Sequence, residues 1–520
     1  MMKLTTSAYL QQIVEGASAR RLAAWAALAL VLLVVGLWNL EGPPMWWDEG
    51  WTLSVARNWA ETGHYGRLRD GQPAAPGLEA AFTTTLPVGL SMRLFGVGLW
   101  QGRLFGVVCA TTVVLLLAAL GARLRHGRIA WAAVGTALLL TIHPQIQPLQ
   151  QGRQVLAEMP MLVYLLGGYL GLWAMLGGAW AALLPTALLL GAAWISKGQT
   201  APFLLASLLV PGLAALLARR WRIASSFALA AGGAFLSAAL LRRLGAALLL
   251  DPALPPEPVE GLLGMVAIVP TVFHRIYAMH NLVFFGFPAL CGLGWGAWRL
   301  WRERDAARAG TPAWYVRLTL LAFCVSWLAW FLSLSVGVPR YMAVPCLVAS
   351  LFVAELLYDL SGGFAIGKSL RALGDLLTLR RPTRAGGAAL LVILLIAAAV
   401  PLTALSLVKE YTTDNRAAQR IAAWLNAQPP GSRVETYESE LHFLLNQPCT
   451  FPPDQLHVAL GKRYLQVDPE AGVEYDPLAN DPDYLVIGAF GHDVYLPVLA
   501  TGQFRLVAQE GIYQLYARVR

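Results

Sequence analysis

The sequence predicts an α-helical polytopic membrane protein with a polar tail. Of its 520 residues, 57% are hydrophobic and only 13% are charged, whereas soluble domains carry about 25% charged residues. Long uncharged segments recur, and the first, residues 22–40, is long enough to cross roughly 30 Å of hydrocarbon as a helix. The composition then changes abruptly to polar after residue 408. These three observations predict spans first and a separate domain last.

The apolar segments predict about eleven membrane-spanning helices. Their centres lie near residues 31, 113, 136, 166, 187, 209, 232, 288, 326, 350 and 398. The first segment is longer than the apolar core of a secretory signal peptide, and Pro43-Pro44 follows it where a small-residue cleavage site would stand. We therefore expect a retained signal anchor.

Clusters of arginine and lysine in every second predicted loop set the expected orientation, because cytoplasmic loops retain positive charge. The clusters are Arg20-Arg21, Arg123 to Arg128, Arg219 to Arg222, Arg299 to Arg317 and Lys368 to Arg384. The N-terminus is then cytoplasmic, and an odd number of spans places the tail outside a cell (inner or plasma) membrane. The net charge of +9 follows from this bias. It indicates contact with membrane lipids rather than nucleic-acid binding.

The predicted division is a transmembrane domain over residues 1–408 and a small extracytoplasmic α/β domain over residues 409–520. Apolar positions at helical spacing predict a helix over residues 414–427 of the tail. Strand-like segments follow at residues 433–437, 483–487 and 505–519. The only cysteine outside the spans is Cys449, so no disulfide framework is expected.

The first outer loop, residues 41–103, is too amphipathic for a simple linker. After Asp48, the apolar residues Trp51, Val55 and Trp59 recur at helical spacing, and Gly63 is a typical stop. This pattern predicts a short helix lying in the membrane interface, with a second one over residues 87–96. Asp48 is expected to cap the start of the first helix.

Asp48 and Glu49 are adjacent carboxylates at the exit of the first span. On a helix their side chains point about 100° apart, so they cannot act as a matched acid/base pair. One of them is expected to face a site that lies between lipid and water. The alternative is that both merely stabilise the helix start through the helix dipole.

Other ionisable groups near membrane depth are functional candidates because burying a charge there is costly. The predicted outer side collects Asp48, Glu49, Arg57, Arg103, Arg153, Glu158, Lys197, Arg275 and Arg340. Such a set suits a reaction in which a carboxylate handles a proton while cations hold a phosphate. The phosphate-binding candidates are Lys197, Arg340 and Arg275. The alternatives are an Arg153–Glu158 ion pair and cations that only extend to the interface.

Two further features leave alternatives open. The proline-rich outer segment over residues 244–270 is either a mobile cover over a site or a stiff connector. No histidine pair has metal-ligand spacing on a helix, and no cofactor is indicated. A divalent cation held by carboxylates stays open.

The motif Asp48-Glu49, followed by Ala56-Arg57 and Thr62-Gly63, resembles the first-loop signature of GT-C glycosyltransferases. It is most similar to the lipid A aminoarabinose transferase and protein O-mannosyltransferase-like family. Further segments agree in order and spacing, namely Phe95-Gly96 with Arg103, Arg153 to Pro160, Ser196-Lys197-Gly198 and Pro339-Arg340-Tyr341. The likeness covers about residues 22–352.

This resemblance implies a glycosyltransferase that moves a hexosyl or pentosyl group from a polyprenyl-phosphate donor, on the outer face, with inversion. The acceptor would be a hydroxyl of a lipid, glycan or protein. Asp48 would be the catalytic carboxylate, Glu158 the second acidic residue of the cavity, and Lys197 and Arg340 the ligands of the lipid phosphate. The remaining first-loop residues would support the site: Glu49, Arg57, Arg103 and Arg153.

The chain also departs from the family pattern. Leu86 precedes Pro87 where the aminoarabinose transferase has a lysine, and Trp51 stands where an arginine is usual. The same substrate pair is therefore not implied. A lipid or glycan transporter and a noncatalytic member of the fold are the alternatives. Transporters tend to place polar groups at mid-bilayer and to show internal repeats, whereas here the charges collect on one side and no repeat is visible.

Overall fold

The structure is a computed structural model that describes residues 19–75, 77–254, 259–269, 271–304, 310–378, 383–472 and 474–519. It contains eight helices that are long and apolar enough to cross a membrane. They are Ala19–Leu37, Leu99–Leu124, Glu158–Leu176, Thr200–Leu217, Trp221–Leu249, Pro312–Ser333, Pro339–Leu360 and Arg384–Asn426. Within the last of these, the continuous helix runs from Arg384 to Thr412, and a second one follows from Ala417 to Asn426. The chain is an integral membrane protein with several spans.

A ninth candidate span is broken in the middle. Helices Val272–Phe285 and Phe287–Arg302 pass the same test together but meet at 80°. Pro288, in the first turn of the second helix, has no N–H group and cannot continue the ladder of the first. The span predicted around residue 288 is therefore bent.

Two of the eleven predicted spans are shorter than a full crossing. The apolar helices Gly127–Leu139 and Trp180–Ser196 occupy the predicted centres at 136 and 187. A helix of 13 residues such as the first rises only about 20 Å, less than the hydrocarbon core. Each predicted centre thus lies in an apolar helix, but by length and composition the described chain has eight spans, or nine with the bent pair.

The core of the membrane region surrounds the span Pro339–Leu360, of which 89% is buried. Aromatic side chains of the preceding span pack beside it, and Trp327 and Phe331 have no exposed surface. The rings of Phe203 and Trp327 lie 4.5 Å apart. This span therefore sits inside the bundle, and residues at its two ends face other helices rather than lipid.

Both predicted first-loop helices are present. The first, Trp47–Thr62, ends at Gly63, whose φ of 80° is readily adopted only by glycine. The second runs from Phe82 to Phe95 and so begins before the predicted start at Pro87, which lies inside it. Between them, strands Leu68–Arg69 and Gln72–Pro73 form a small antiparallel hairpin.

The tail contains a five-stranded mixed sheet with four helices. In spatial order the strands are Cys449–Thr450, Val434–Thr436, Tyr484–Ile487, Tyr513–Arg518 and Phe504–Glu510. The helices are Ala417–Asn426, Ser439–Leu444, Asp454–Tyr464 and His492–Leu499. The first three strands are parallel and the last two form an antiparallel hairpin.

The tail differs from the sequence prediction in two respects. Three of its helices, Ser439–Leu444, Asp454–Tyr464 and His492–Leu499, and the strand Cys449–Thr450 were not predicted. The single strand-like segment predicted over residues 505–519 is two strands that turn at Gly511, where φ is 57°. The helix of the last span continues to Thr412, past residue 408. The division of the chain at that residue stays a prediction.

Several predicted features fall partly outside the described residues, namely residues 255–258 and 270 of the proline-rich segment and Arg308, Arg380 and Arg381 of the basic clusters. The described part of the proline-rich segment includes the short helix Leu262–Val266. Its Glu260 exchanges two hydrogen bonds with the Gln455 side chain of the tail, at 2.8 and 3.2 Å. This part of the segment is attached to the tail.

A network of ion pairs joins the spans at the end opposite Asp48. Arg317 contacts Glu355 at 2.7 Å, and both side chains are buried. The network continues through the pairs Arg317–Glu303, Arg299–Glu303, Arg299–Glu355, Arg299–Asp359 and Arg125–Asp359. We call it the Glu355 network.

Candidate functional site

Four of the predicted site residues form a continuous chain of ion pairs, which we call the Asp48 network. Arg340 Nη2 lies 2.7 Å from Asp48 Oδ2, and Arg340 Nε lies 3.4 Å from Glu158 Oε1. Lys197 Nζ lies 2.5 Å from the same oxygen of Glu158. Two carboxylates and two cations therefore alternate within one cluster.

Each member of the Asp48 network lies at the end of a helix. Asp48 is in the first turn of the first-loop helix, and Glu158 is the first residue of its span. Lys197 directly follows the apolar helix Leu183–Ser196. Arg340 lies in a short 3-10 turn after Gly337, whose φ is 77°. Helix ends bring charged side chains together without placing them in the middle of the hydrocarbon.

Neighbouring contacts hold Lys197 in this cluster. The Ser196 hydroxyl lies 2.8 Å from that of Thr83, which belongs to the second first-loop helix. Tyr164 donates a hydrogen bond to the Thr83 carbonyl at 3.2 Å. The Lys197 ammonium also lies 5.4 Å from the centre of the Tyr341 ring. Lys197 is therefore held in the cluster by Glu158 and lies beside Tyr341.

The two cations keep donors that the described part of the chain does not use. Arg340 Nη1 is buried and has no hydrogen-bond partner among the described residues. The Lys197 ammonium has three N–H donors, and Glu158 is the one acceptor recorded for it within those residues. An anion placed beside Arg340 and Lys197 would find unused hydrogen-bond donors.

Asp48 is the accessible carboxylate of the cluster. Its side chain is 44% exposed, whereas that of Glu158 is 3% exposed. Burial raises the pKa of Asp48, but the Arg340 guanidinium outweighs burial and holds this pKa below the ordinary value of 3.8. Asp48 is thus ionised at neutral pH and open to a second molecule.

Glu49 has a structural role that separates it from Asp48. It is fully buried and forms two hydrogen bonds of 2.8 Å with Arg103. Its carboxylate also accepts the backbone N–H groups of Trp46 and Val155, both at 3.2 Å. The prediction that Asp48 caps the helix is therefore wrong, because Glu49 binds the free N–H at the helix start.

Four predicted arginines lie outside the Asp48 network, namely Arg103, which binds Glu49, and Arg57, Arg153 and Arg275. Arg57 donates to the carbonyls of Phe443 and Leu445 in the tail, at 2.7 and 2.9 Å. Arg153 donates to the carbonyls of Trp38 and Asn39, so the alternative ion pair with Glu158 does not form.

Arg275 is a predicted ligand of the donor phosphate, but its guanidinium donates to backbone carbonyls instead. It donates to the carbonyls of Leu332 and Val269, at 2.7 and 2.8 Å, and to that of Ser335. The structure therefore does not bring Arg275 into the Asp48 network. It ties the end of one span to the start of the bent one.

Sequence patterns do not indicate that the tail contacts the Asp48 helix. Trp47 Nε1 donates to the Tyr437 carbonyl at 3.1 Å, across 390 positions of sequence, and Ser439 donates to the Trp47 carbonyl. A Cβ atom on Gly50 would lie 2.3 Å from the backbone nitrogen of Glu440. Glycine is therefore required where the two backbones meet.

His457 is a second feature of the site that sequence patterns did not reveal. Its ring stacks on Trp47 with centres 4.1 Å apart, and its Nδ1 lies 2.7 Å from the Tyr437 hydroxyl. Burial lowers the pKa of His457 to about 4, so the ring is neutral at pH 7. Its proximity also contributes to the lowered pKa of Asp48. The tail thus supplies a polar side chain beside the accessible carboxylate.

No group of three or more histidine, cysteine, aspartate or glutamate side chains is arranged to hold a metal ion within the described ranges. At the position where the family has an arginine, Trp51 is buried against Arg67, whose guanidinium carbon lies 4.8 Å from the indole centre. A cation therefore lies next to this position, although it comes from elsewhere in the loop.

The chain is similar to known proteins in structure. No protein-family model matches the chain, and a search of curated proteins finds no match. The solved structure of ArnT from Cupriavidus metallidurans bound to undecaprenyl phosphate has a TM-score of 0.61 over 97% of this chain and 99% of its own, at 18% identity.

The chain has the GT-C fold. The Archaeoglobus fulgidus oligosaccharyltransferase AglB, in complex with an inhibitory peptide and a dolichol-phosphate, gives a TM-score of 0.53 at 12% identity and covers 97% of this chain and 75% of its own. The GT-C resemblance predicted from the motifs is thus confirmed for the fold. At these identities the likeness does not assign a substrate or a residue role.

Proposed function

We propose that the protein is an integral membrane glycosyltransferase that transfers a sugar from a polyprenyl-phosphate donor to an acceptor hydroxyl, with inversion. The observation that carries this proposal is the Asp48 network, in which an accessible carboxylate lies beside two cations with unused donors. The GT-C fold supports it, because both structural neighbours were solved with a polyprenyl-type phosphate bound.

The cations suit the leaving group of such a reaction. Arg340 and Lys197 would bind the phosphate of the donor and neutralise the charge that develops as the sugar departs. A phosphate leaves without a proton at neutral pH, so no general acid is needed. Arg275 is not included in this clamp, because its guanidinium is bound to backbone carbonyls.

Asp48 would take the proton of the acceptor hydroxyl. In the structure its negative charge is paired with Arg340, which makes it a weak base. A donor phosphate bound to Arg340 would compete for that guanidinium and leave Asp48 more basic. Glu158 would hold Arg340 and Lys197 in place during this exchange.

The proposal also covers placement in the cell. The loop clusters of arginine and lysine support a cell (inner or plasma) membrane protein with a cytoplasmic N-terminus. The Asp48 network and the tail, residues 409–520, would then lie on the outer face. The acceptor belongs to a lipid, a glycan or a protein.

The decisive experiment is a transfer assay with purified protein and a panel of polyprenyl-phosphate sugars. Asp48→Asn should lower transfer by about 100-fold or more, because an amide cannot accept the proton. Asp414→Asn is the matched control, since Asp414 lies on the surface in a pair with Arg416. Undiminished transfer by Asp48→Asn would remove Asp48 from catalysis.

The same preparation separates the enzyme from the transporter alternative. Protein reconstituted in vesicles should form a covalent product between sugar and acceptor. Movement of the intact lipid-linked sugar across the bilayer, with no covalent product from any donor of the panel, would instead assign transport.

A further inference from the structure

A polar cavity lies near the Asp48 network. It has a volume of about 410 Å³, within the range of small-molecule sites. Trp46 lines it, and the same ring lies 5.8 Å from the guanidinium carbon of Arg340. Trp46 therefore lies between the cavity and the Asp48 network.

The walls of this cavity carry buried polar atoms that have no hydrogen-bond partner among the described residues. They are Nε and Nη1 of Arg153 and the side-chain carbonyl oxygens of Gln150 and Gln151. Arg153 is 1% exposed and Gln151 2% exposed. An unpaired buried polar atom costs about 1–3 kcal/mol. Several such atoms around one cavity indicate a ligand that completes their hydrogen bonds.

The charge of the walls indicates which ligand fits. Arg153 forms no ion pair with a carboxylate in the described part of the chain; it stacks on the Tyr411 ring at 4.1 Å. Lys409 adds a second cation, and Glu410 offsets one of the two. Burial lowers the pKa of His143, which is therefore neutral at pH 7. The cavity thus has a net positive charge and offers both N–H donors and carbonyl acceptors.

We propose that this cavity binds the anionic, hydroxyl-bearing head group of the acceptor, a phosphate ester of glycerol or a sugar. Arg153 and Lys409 would bind the phosphate, while the side-chain carbonyls of Gln150 and Gln151 would accept hydrogen bonds from hydroxyls. The acceptor role rests on the proposed function, whereas binding of the phosphate ester does not. The phosphate ester comes either from a lipid head group or from a water-soluble molecule.

Binding is measured with full-length protein in phosphatidylcholine nanodiscs, with glycerol 3-phosphate as the probe. All proteins carry Lys197→Gln, which weakens phosphate binding in the Asp48 network. We expect saturable binding that falls at least tenfold when Arg153→Gln is added. Because Arg153 also holds the carbonyls of Trp38 and Asn39, the exposed Lys409→Gln is the second variant, with an expected loss of several-fold.

Arg416→Gln is the matched control, because Arg416 lies on the surface near the cavity and pairs with Asp414. The proposal is overturned if Lys197→Gln alone abolishes binding, or if Arg153→Gln and Lys409→Gln bind as tightly as the control. Competition by phosphatidylglycerol in the nanodiscs assigns a lipid source. Binding that phosphatidylglycerol does not affect assigns a soluble one.

The acceptor role is tested separately in the transfer assay. Lys409→Gln should raise the KM for a phosphate-bearing acceptor and leave kcat unchanged, and an unchanged KM would remove the acceptor role. If the wild type transfers no sugar from any donor, the proposed function fails while the binding result stands. The two failures are therefore distinguishable.

Discussion

The Asp48 network and the Glu355 network both pair cationic side chains with carboxylates, and they lie at opposite ends of one span. Arg340 begins the span Pro339–Leu360, and Glu355 lies 15 residues further along, about 22 Å at the rise of an α-helix. In the Glu355 network all three nitrogens of Arg317 are hydrogen-bonded to Glu355, Glu303 or the carbonyl of Leu124. Arg299 Nη1 of the Glu355 network has no hydrogen bond, but it lies 3.4 Å from Glu355 and 3.6 Å from Asp359. In the Asp48 network, Arg340 Nη1 has neither a hydrogen bond nor an ion pair within the described chain.

The carboxylates differ in the same way. The most exposed carboxylate of the Glu355 network, Asp359, is 20% exposed, whereas Asp48 is 44% exposed. A closed network holds helices together, and an open one can bind a further molecule. Unused donors and accessible oxygens therefore indicate better than the number of ion pairs whether such a network can bind a ligand.

The largest effect should come from a substitution that breaks the Glu355 network. Glu355→Gln removes the most buried carboxylate of the network and leaves Arg317 and Arg299 only the more exposed Glu303 and Asp359. Removing one partner of a buried pair costs about 3–5 kcal/mol. We expect a clear loss of thermal stability and unchanged transfer per folded molecule. The control is Glu510→Gln in the exposed pair with Arg420, which should cost less than about 1 kcal/mol. A transfer defect in folded Glu355→Gln would contradict the comparison.

Arg340→Lys should show the opposite behaviour. Lysine keeps the charge but lacks the planar fork that reaches both Asp48 and Glu158. We expect transfer to fall by about 10- to 100-fold with a smaller loss of stability. The companion variant is Arg317→Lys, whose transfer per folded molecule should match the wild type. Equal transfer by the two variants would show that the open network is not special.

Glu440 allows a third comparison, with a buried carboxyl group that pairs with no cation in the described residues. It is buried in the tail and accepts a hydrogen bond from the Tyr513 hydroxyl, and no ion pair is recorded for it in the described residues. Burial, followed by the charge of Glu438, raises the pKa of Glu440 from 4.5 to about 7. The folded state therefore favours the protonated acid.

Stability of the wild type should then fall as the pH rises from 4.5 to about 7. Glu440→Gln has no proton to lose there and should be more stable above pH 7 by about 1–3 kcal/mol. The two proteins should unfold alike near pH 4. Thermal unfolding across this pH range measures the difference, and parallel curves would exclude a raised pKa at Glu440.

The smallest expected effect is a shift in the pH below which transfer activity is lost. In the wild type, Arg340 holds the pKa of Asp48 below 3.8, so transfer should persist to lower pH than for an ordinary carboxylate. In Arg340→Gln, burial remains as the main influence and raises the pKa of Asp48. As the pH is lowered, the residual activity of this variant should therefore be lost at a higher pH than that of the wild type. The pH dependence of kcat/KM measures this shift. Loss of activity at the same pH in both proteins would assign it to another group.

Much of the fold follows from local sequence. Uncharged segments show where helices lie, because backbone groups in lipid must be satisfied within a segment. Sequence could not show that the helix at Gly127–Leu139 is too short to cross or that the one at Pro288 is bent, since length and angle depend on the neighbouring helices. The turn at Gly511 was missed because both strands have one continuous pattern.

The members of the Asp48 network were predictable because charges at the ends of apolar segments are rare and costly. The separation of Asp48 from Glu49 was not, because it depends on the distant Arg103. Arg275 had the same sequence character as Arg340 but faces backbone carbonyls. His457 was missed since only the packing of the tail brings it to Trp47.

The close approach at Gly50 has a consequence for genetics. Asp48 lies on a helix whose position is set by the tail, through Ser439 and the backbone of Glu440. A screen for inactive variants should therefore recover two separate stretches of coding sequence, one around codon 50 and one around codon 440. Variants of the second stretch would appear catalytic even though they lie outside every span.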